Sequence, residues 1–419
     1  MFEISSLPNG LQVVSSRMSG YSSVNINILV KVGSRYEAEH EHGICHFLEH
    51  MAFKGTATRT YRDIAQQFDE IGGQFNAYTS REHTVYQAKV LSTDLEIAMD
   101  ILADILQNST FDLQEIAKEK EVILQEIAQL EDDPDDLSYD NLISCAFQDQ
   151  PLGRSILGTP QTLSTFDTSA FKNYIENHYH AKNMIIAAAG NVEHRRLMAL
   201  SAKLFEKIPT GLTAQQNIAT HTYSHKIITK DLEQANLVIG FPGFSYLEQS
   251  NFYKAKILSI ILGGGGSSRL FQNIREKHGL AYSVGSFLNS YSDVGLFCLY
   301  GSTTADNLAK FVELLQAETK QICDNITIQE LVRAKKQIKA NTMMAEEKSS
   351  NRCYDLSYNF AIFNKHIPME EILAKIEEFS VDDLLQIAQK IFSSPAIISL
   401  VGPKVKINPE EISTGFKIL

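Results

Sequence analysis

The sequence predicts an α+β fold made of two homologous domains, each an antiparallel sheet with helices packed on one face. Three observations carry that expectation. Strand-like and helix-like runs are mixed rather than strictly alternating, which argues against a wound parallel sheet. The chain also repeats itself. STDLEIAMDILADIL begins at Ser92 and STTADNLAKFVELLQ at Ser302, an offset of 210; LQEIAKEK begins at Leu113 and IQELVRAK at Ile328, an offset of 215. Ala187-Ala188-Ala189-Gly190 closes one half and Ser399-Leu400-Val401-Gly402 the other. A nearly constant offset over three elements marks a duplication. Finally, the polar stretch Thr210 to His221 reads as a linker, which places the domains at residues 1–212 and 213–419.

The elements follow from the pattern. Pro8-Asn9-Gly10 is turn chemistry between two extended runs, the second being Leu11 to Ser15. Ser23 to Val32 alternates like a half-buried strand. Gly43 to Phe53 reads as a helix, and Tyr61 to Ile71 as a second, closed by Gly72-Gly73. Phe75 to Tyr78 and Thr84 to Val90 are neighbouring strands. Asp94 to Gln107 is an amphipathic helix, and Leu113 to Glu131 is a long one that runs into acidic residues.

Composition narrows the function. The 419 residues are 44% hydrophobic, enough for full cores without a structural staple. A formal net charge of −12 argues against nucleic-acid binding and favours basic partners. The five cysteines are scattered and odd in number, which points to a reducing, cytoplasmic setting. No basic leader precedes an apolar run at the start, and no stretch reaches the roughly 18 apolar residues of a membrane span.

The chemistry lies in His46-Phe47-Leu48-Glu49-His50. Residues four apart share a helix face, so His46 and His50 converge, and two neutral imidazoles suit zinc. Glu49 sits where it reaches water beside the metal without being a ligand. This order inverts the H-E-x-x-H zinc helix. A catalytic zinc needs a third protein ligand and an open fourth position. The long helix offers Glu119, Glu121 and Glu126; Glu119 and Glu126, about two turns apart, share a face.

GICHFLEHMAFKGT, GGQFNAYTSREHTVY and EKEVILQEI together resemble the pitrilysin family of inverted zinc peptidases, on the side of the catalytic subunit of the mitochondrial processing peptidases. The resemblance runs over nearly the whole chain. It implies one zinc per chain held by His46, His50 and Glu126, since the family's third ligand lies 76 residues after the second histidine. It implies that Glu49 is the base and that Glu119 stands behind the ligands. Phe75, Asn76 and Ala77 match an edge strand that adds substrate as a further strand. Arg275 and Tyr282 match a pair that donates to the scissile carbonyl, supplied in relatives of this length by the facing chain of a dimer. Asp136 and Asp140 match acidic residues that read a basic side chain near the cut. Gly263 to Gly266 resembles the family's glycine-rich loop; no Gly-Lys-Ser/Thr follows, so it is no phosphate cradle. Cys45, where relatives carry a small residue, reads as buried packing. The second half lacks the histidine motif, and the repeat puts Ala334 and Asn341 opposite Glu119 and Glu126.

The resemblance implies a zinc endopeptidase acting on extended or unfolded peptides, basic presequence-like ones among them, as a homodimer in which each chain forms half of a clamshell chamber. The first domain is its catalytic half and the second its substrate-handling half. The rival is a non-catalytic core subunit of the same superfamily; such subunits lose part of the motif that is complete here.

Overall fold

The computed structural model describes residues 2–418. The first sheet is formed by β1 (Phe2–Ser6), β2 (Gln12–Arg17), β3 (Ser23–Val30), β4 (Gln74–Thr79), β5 (Thr84–Leu91) and β6 (Met184–Gly190), in the order β1-β2-β6-β3-β5-β4. The second is formed by β7 (His225–Thr229), β8 (Gln234–Pro242), β9 (Val284–Ser290), β10 (Gly295–Thr304) and β11 (Ile397–Gly402), in the order β7-β11-β8-β10-β9. Without β1, the two orders are the same, strand for strand. Every pairing is antiparallel except β2 with β6 and its counterpart β7 with β11. The duplication read from the sequence is thus a duplication of topology.

Helices cover one face of the first sheet. They include α1 (Ile44–Ala52), α2 (Tyr61–Glu70), α3 (Leu95–Gln107) and the start of α4 (Leu113–Asp132). Val13, Val24, Ile26 and Ile28 of that face pack with Phe47, Phe68, Leu102 and Ile123 of the helices. The opposite face is covered as well. Val14, Leu29, Val85, Ile185 and Ala187 pack with Cys353, Leu356 and Phe360 of the helix Ser349–Phe363. The second sheet repeats this: Val238, Leu296 and Ile397 pack with Leu142, Ile143 and Ala146 of α5 (Pro134–Ala146), on the face away from the larger core of that half. The one-face expectation therefore gains a single further helix on each sheet. The reason is visible in the central strands: MIIAAAG has no polar side chain and IISLVG has only Ser399, and both are buried throughout, a pattern that needs cover on both faces.

These two helices define the compact units. One comprises residues 1–128, 154–217 and 343–366, and the other 129–153, 218–342 and 367–419. A segment from each half of the sequence thus belongs to the unit built mainly from the other half. The break before α5 comes from Pro134 at the first helical turn, capped by the Asp133 carboxylate, which accepts from the N–H groups of Asp135 and Asp136. Among the described residues, no helix is long and apolar enough to cross a membrane.

Phe171 shows what the first core does for the rest. It is fully buried, with its ring 5.1 Å from that of Phe47 on α1 and 5.3 Å from that of Phe111. Phe171→Ala is expected to cost about 3–5 kcal/mol in urea unfolding followed by near-ultraviolet circular dichroism. A shift of under ~1 kcal/mol would mean that this cluster does not anchor α1.

Candidate metal centre

The site begins at a turn. Gly43 has φ +94°, a left-handed conformation, and a Cβ there would lie 2.6 Å from Gly158 Cα. Glycine is what lets the chain enter α1 against the Gly158 backbone. The first turn of α1 is then gripped by Glu37, which is fully buried: Oε2 accepts from the Gly43 N–H and Oε1 from the Cys45 N–H, each at 2.9 Å. Burial pushes the Glu37 carboxyl up to about 8 against the pull of these two donors.

α1 buries Ile44, Cys45, Phe47, Leu48, Met51 and Ala52. That stripe leaves His46, Glu49 and His50 on the other side, facing α4. The imidazoles of His46 and His50 lie 4.7 Å apart, ring centre to ring centre. Glu126 Oε2 is 3.5 Å from His46 Nε2 and 3.6 Å from His50 Nε2. These separations are long for hydrogen bonds. They match the spacing of about 3.4 Å between two ligand atoms each about 2.1 Å from a tetrahedral ion. Among the described residues, His46, His50 and Glu126 form the one group of three or more whose donor atoms could hold a metal, all within 4.8 Å of one another. Two nitrogens and one carboxylate oxygen form a donor set that fits zinc and leaves a fourth position open.

The electrostatics agree with that fit. Burial, and then the neighbouring His50, pull the His46 pKa down to about 3, so its ring is neutral and a lone pair is available. His50 Nδ1 lies 3.1 Å from Glu119 Oε2, and Glu119 Oε1 lies 2.6 Å from Lys54 Nζ. Burial raises the Glu49 pKa, and Glu126 adds to that, while Thr79 and His50 oppose it. Two buried polar atoms of this cluster, His46 Nδ1 and Glu49 Oε2, have no hydrogen-bond partner. A buried carboxylate oxygen left without a donor is an acceptor still open to a bound group.

The other expected residues fall as follows. Phe75, Asn76 and Ala77 lie in β4, the outermost strand of its sheet, paired on one side only, with β5. Phe75 stacks on Phe68 at 4.5 Å and Asn76 is exposed. Thr79, at the end of the same strand, donates to the Cys45 carbonyl and so ties the edge to α1. Arg275 and Tyr282 belong to the second unit and lie together, with the guanidinium 4.7 Å from the Tyr282 ring centre and 4.6 Å from that of Phe271. Tyr282 is 80% exposed. Asp136 and Asp140 lie on α5, also in the second unit, the first exposed and the second half-buried. Cys45 is buried, with its thiol 2.9 Å from the Tyr174 hydroxyl. Sequence reasoning missed Glu37 and Lys54. Lys54 had a usable signal, four residues beyond His50. Glu37 had none, because its role depends on a loop folding back.

Comparison with known proteins follows the same lines. The family described as insulinase, peptidase family M16, matches residues 12–160, and the peptidase M16 inactive domain matches residues 165–338. An uncharacterized zinc protease of Rickettsia felis is 47% identical over 402 residues, covering 96% of this chain and 98% of its own. A probable mitochondrial-processing peptidase subunit beta of Arabidopsis thaliana is 33% identical over 415 residues, covering 96% and 78%. Among solved structures, a protease from Helicobacter pylori superposes with a TM-score of 0.89 at 23% identity, covering 96% of this chain and all of its own, which bears on the fold.

The geometry of the turn before α1 is open to test. Gly43→Ala forces a left-handed alanine against Gly158 and should cost about 1–3 kcal/mol. It should also lower metal retention, since α1 must shift. Wild-type unfolding midpoint and wild-type metal content together would show that α1 does not depend on this contact.

Proposed function

The chain belongs to peptidase family M16, the pitrilysin family, and from that premise we propose that it is a zinc-dependent endopeptidase cutting extended peptides. The observation that carries this reading is the convergence of His46, His50 and Glu126 beside the orphaned carboxylate oxygen of Glu49. His46, His50 and Glu126 would hold one zinc per chain, and bound zinc supplies Lewis acidity to a peptide carbonyl and to water.

The chain's own residues do the rest. Glu49 takes the proton of the attacking water and passes it to the leaving amine. β4 offers the free side of its backbone, at Phe75, Asn76 and Ala77, to a peptide in extended form, which explains tolerance of varied sequences. Arg275 and Tyr282 donate to the developing oxyanion; the half-buried guanidinium against an exposed Tyr282 ring suits a pair presented to the facing chain of a homodimer. Asp136 and Asp140 favour substrates with a basic residue, in keeping with the net charge of −12. The complete set of His46, Glu49, His50 and Glu126 weighs against the rival reading as a non-catalytic subunit.

Two substitutions separate binding from chemistry. Glu126→Gln should lower zinc content, because a neutral amide is a poor ligand, whereas Glu49→Gln should keep zinc and lose turnover by about two to four orders of magnitude. Zinc content by plasma mass spectrometry and peptide cleavage by mass spectrometry read the two effects. Undiminished zinc in the first variant, or undiminished hydrolysis in the second, overturns the corresponding role.

A further inference from the structure

Lys54 has no part in the reading above, yet it ends a chain of contacts that begins at a histidine of the centre. His50 Nδ1 lies 3.1 Å from Glu119 Oε2, and Glu119 Oε1 lies 2.6 Å from Lys54 Nζ. The Glu119 side chain is only 9% exposed, and that of Lys54 is 31% exposed. A carboxylate so deep needs its charge balanced. Among the described residues, Lys54 is the only lysine or arginine that forms an ion pair with any of the carboxylates at this centre. The position follows from the local fold. Lys54 comes just after α1 ends, its N–H bonded to the Met51 carbonyl at 3.1 Å, so its side chain runs back along the last turn.

The two histidines are therefore held differently. His46 Nδ1 has no partner, while His50 Nδ1 faces a carboxylate that is itself clamped. A neutral imidazole facing a carboxylate through Nδ1 carries its proton there, which leaves the lone pair on Nε2. His50 Nε2 is the atom turned toward Glu126.

We propose that Lys54 is a positioning residue: by pinning the Glu119 carboxylate, it fixes His50 as the Nδ1–H tautomer with Nε2 free. This makes His50 the pre-organised ligand and leaves His46 as the adaptable one. The consequence for metal binding rests on the zinc reading; the tautomer does not.

The test uses the full-length chain, metal-stripped and labelled with 15N at histidine. Long-range 1H–15N spectra report which ring nitrogen of His50 carries the proton. Wild type should show Nδ1–H. Lys54→Met removes the ammonium but keeps most of the stem, and should shift His50 toward a mixture of tautomers. Lys54→Arg, which restores the charge, should return the Nδ1–H signal. In competition with a chelator, Lys54→Met should bind zinc roughly tenfold more weakly, the lower end of the loss when a partner behind a metal-ligating histidine is removed. Lys54→Arg should recover most of that. A merely structural lysine would lower the unfolding midpoint and leave the tautomer as in wild type; that result overturns the proposal, as does equal zinc affinity in wild type and Lys54→Met. If the wild-type chain binds no zinc while the His50 tautomer still follows Lys54, the zinc reading falls and the positioning role stands.

Discussion

A helix of nine residues has almost no stability of its own, so α1 is only as well placed as the contacts that hold it. Glu37 is the contact on which the rest depends. Its two oxygens take the N–H groups of Gly43 and Cys45, donors that a helix start would otherwise leave unsatisfied in a buried place. The cap fixes where the helix begins, and the apolar stripe from Ile44 to Ala52 fixes its rotation. With both set, the direction of His46, Glu49 and His50 follows from helix geometry alone. The cost is a carboxyl group kept fully buried, with its pKa pushed up to about 8.

α4 solves the complementary problem. Its buried residues Ile116, Glu119 and Ile123 seat one stripe against the core, and Glu126 continues that stripe one turn further, where cover thins out. The seven-residue spacing of Glu119 and Glu126 places one carboxylate behind His50 and the other in front of both histidines. One helix thus carries both carboxylates, and they differ in depth: the Glu119 side chain is 9% exposed and that of Glu126 38%. Thr79 adds a third tie, its hydroxyl donating to the Cys45 carbonyl at 3.4 Å and so joining the last residue of β4 to α1.

Much of this was legible in the sequence. The histidine spacing on an apolar helix, the paired glutamates and the repeat each had a periodic signature, and periodicity survives without coordinates. The helix that covers the second face of each sheet was harder to see. Read from the sequence, the long helix ends at Glu131 in acidic residues with no helix placed after it, although Asp133 and Pro134 are a helix cap and first-turn pair and open α5. The signal for the missing layer lay elsewhere, in MIIAAAG and IISLVG, which hold a single polar side chain between them, Ser399, and so demand cover on both faces. Glu37 was out of reach for a different reason. A glutamate among Glu39, Glu41 and several other polar residues looks like surface until the chain turns at Gly43 and buries it.

The duplication makes the depth of Glu119 informative. The repeat sets Ala334 at the matching place on the helix Ile328–Glu346, and Ala334 is as deeply buried as Glu119 is. The same position in two copies of one topology thus holds a carboxylate in one and a methyl group in the other. Burying a carboxylate is unfavourable unless hydrogen bonds and opposite charge offset it. In the first half, His50 and Lys54 provide that offset. The second half lacks the H-x-x-E-H motif, and without a histidine and a lysine beside it a glutamate at that depth would be a net destabilisation, which alanine avoids. A copy without the histidine motif has no matching partner for such a carboxylate. The pattern is what is expected if Glu119 is kept for His50 rather than for the packing of the helix.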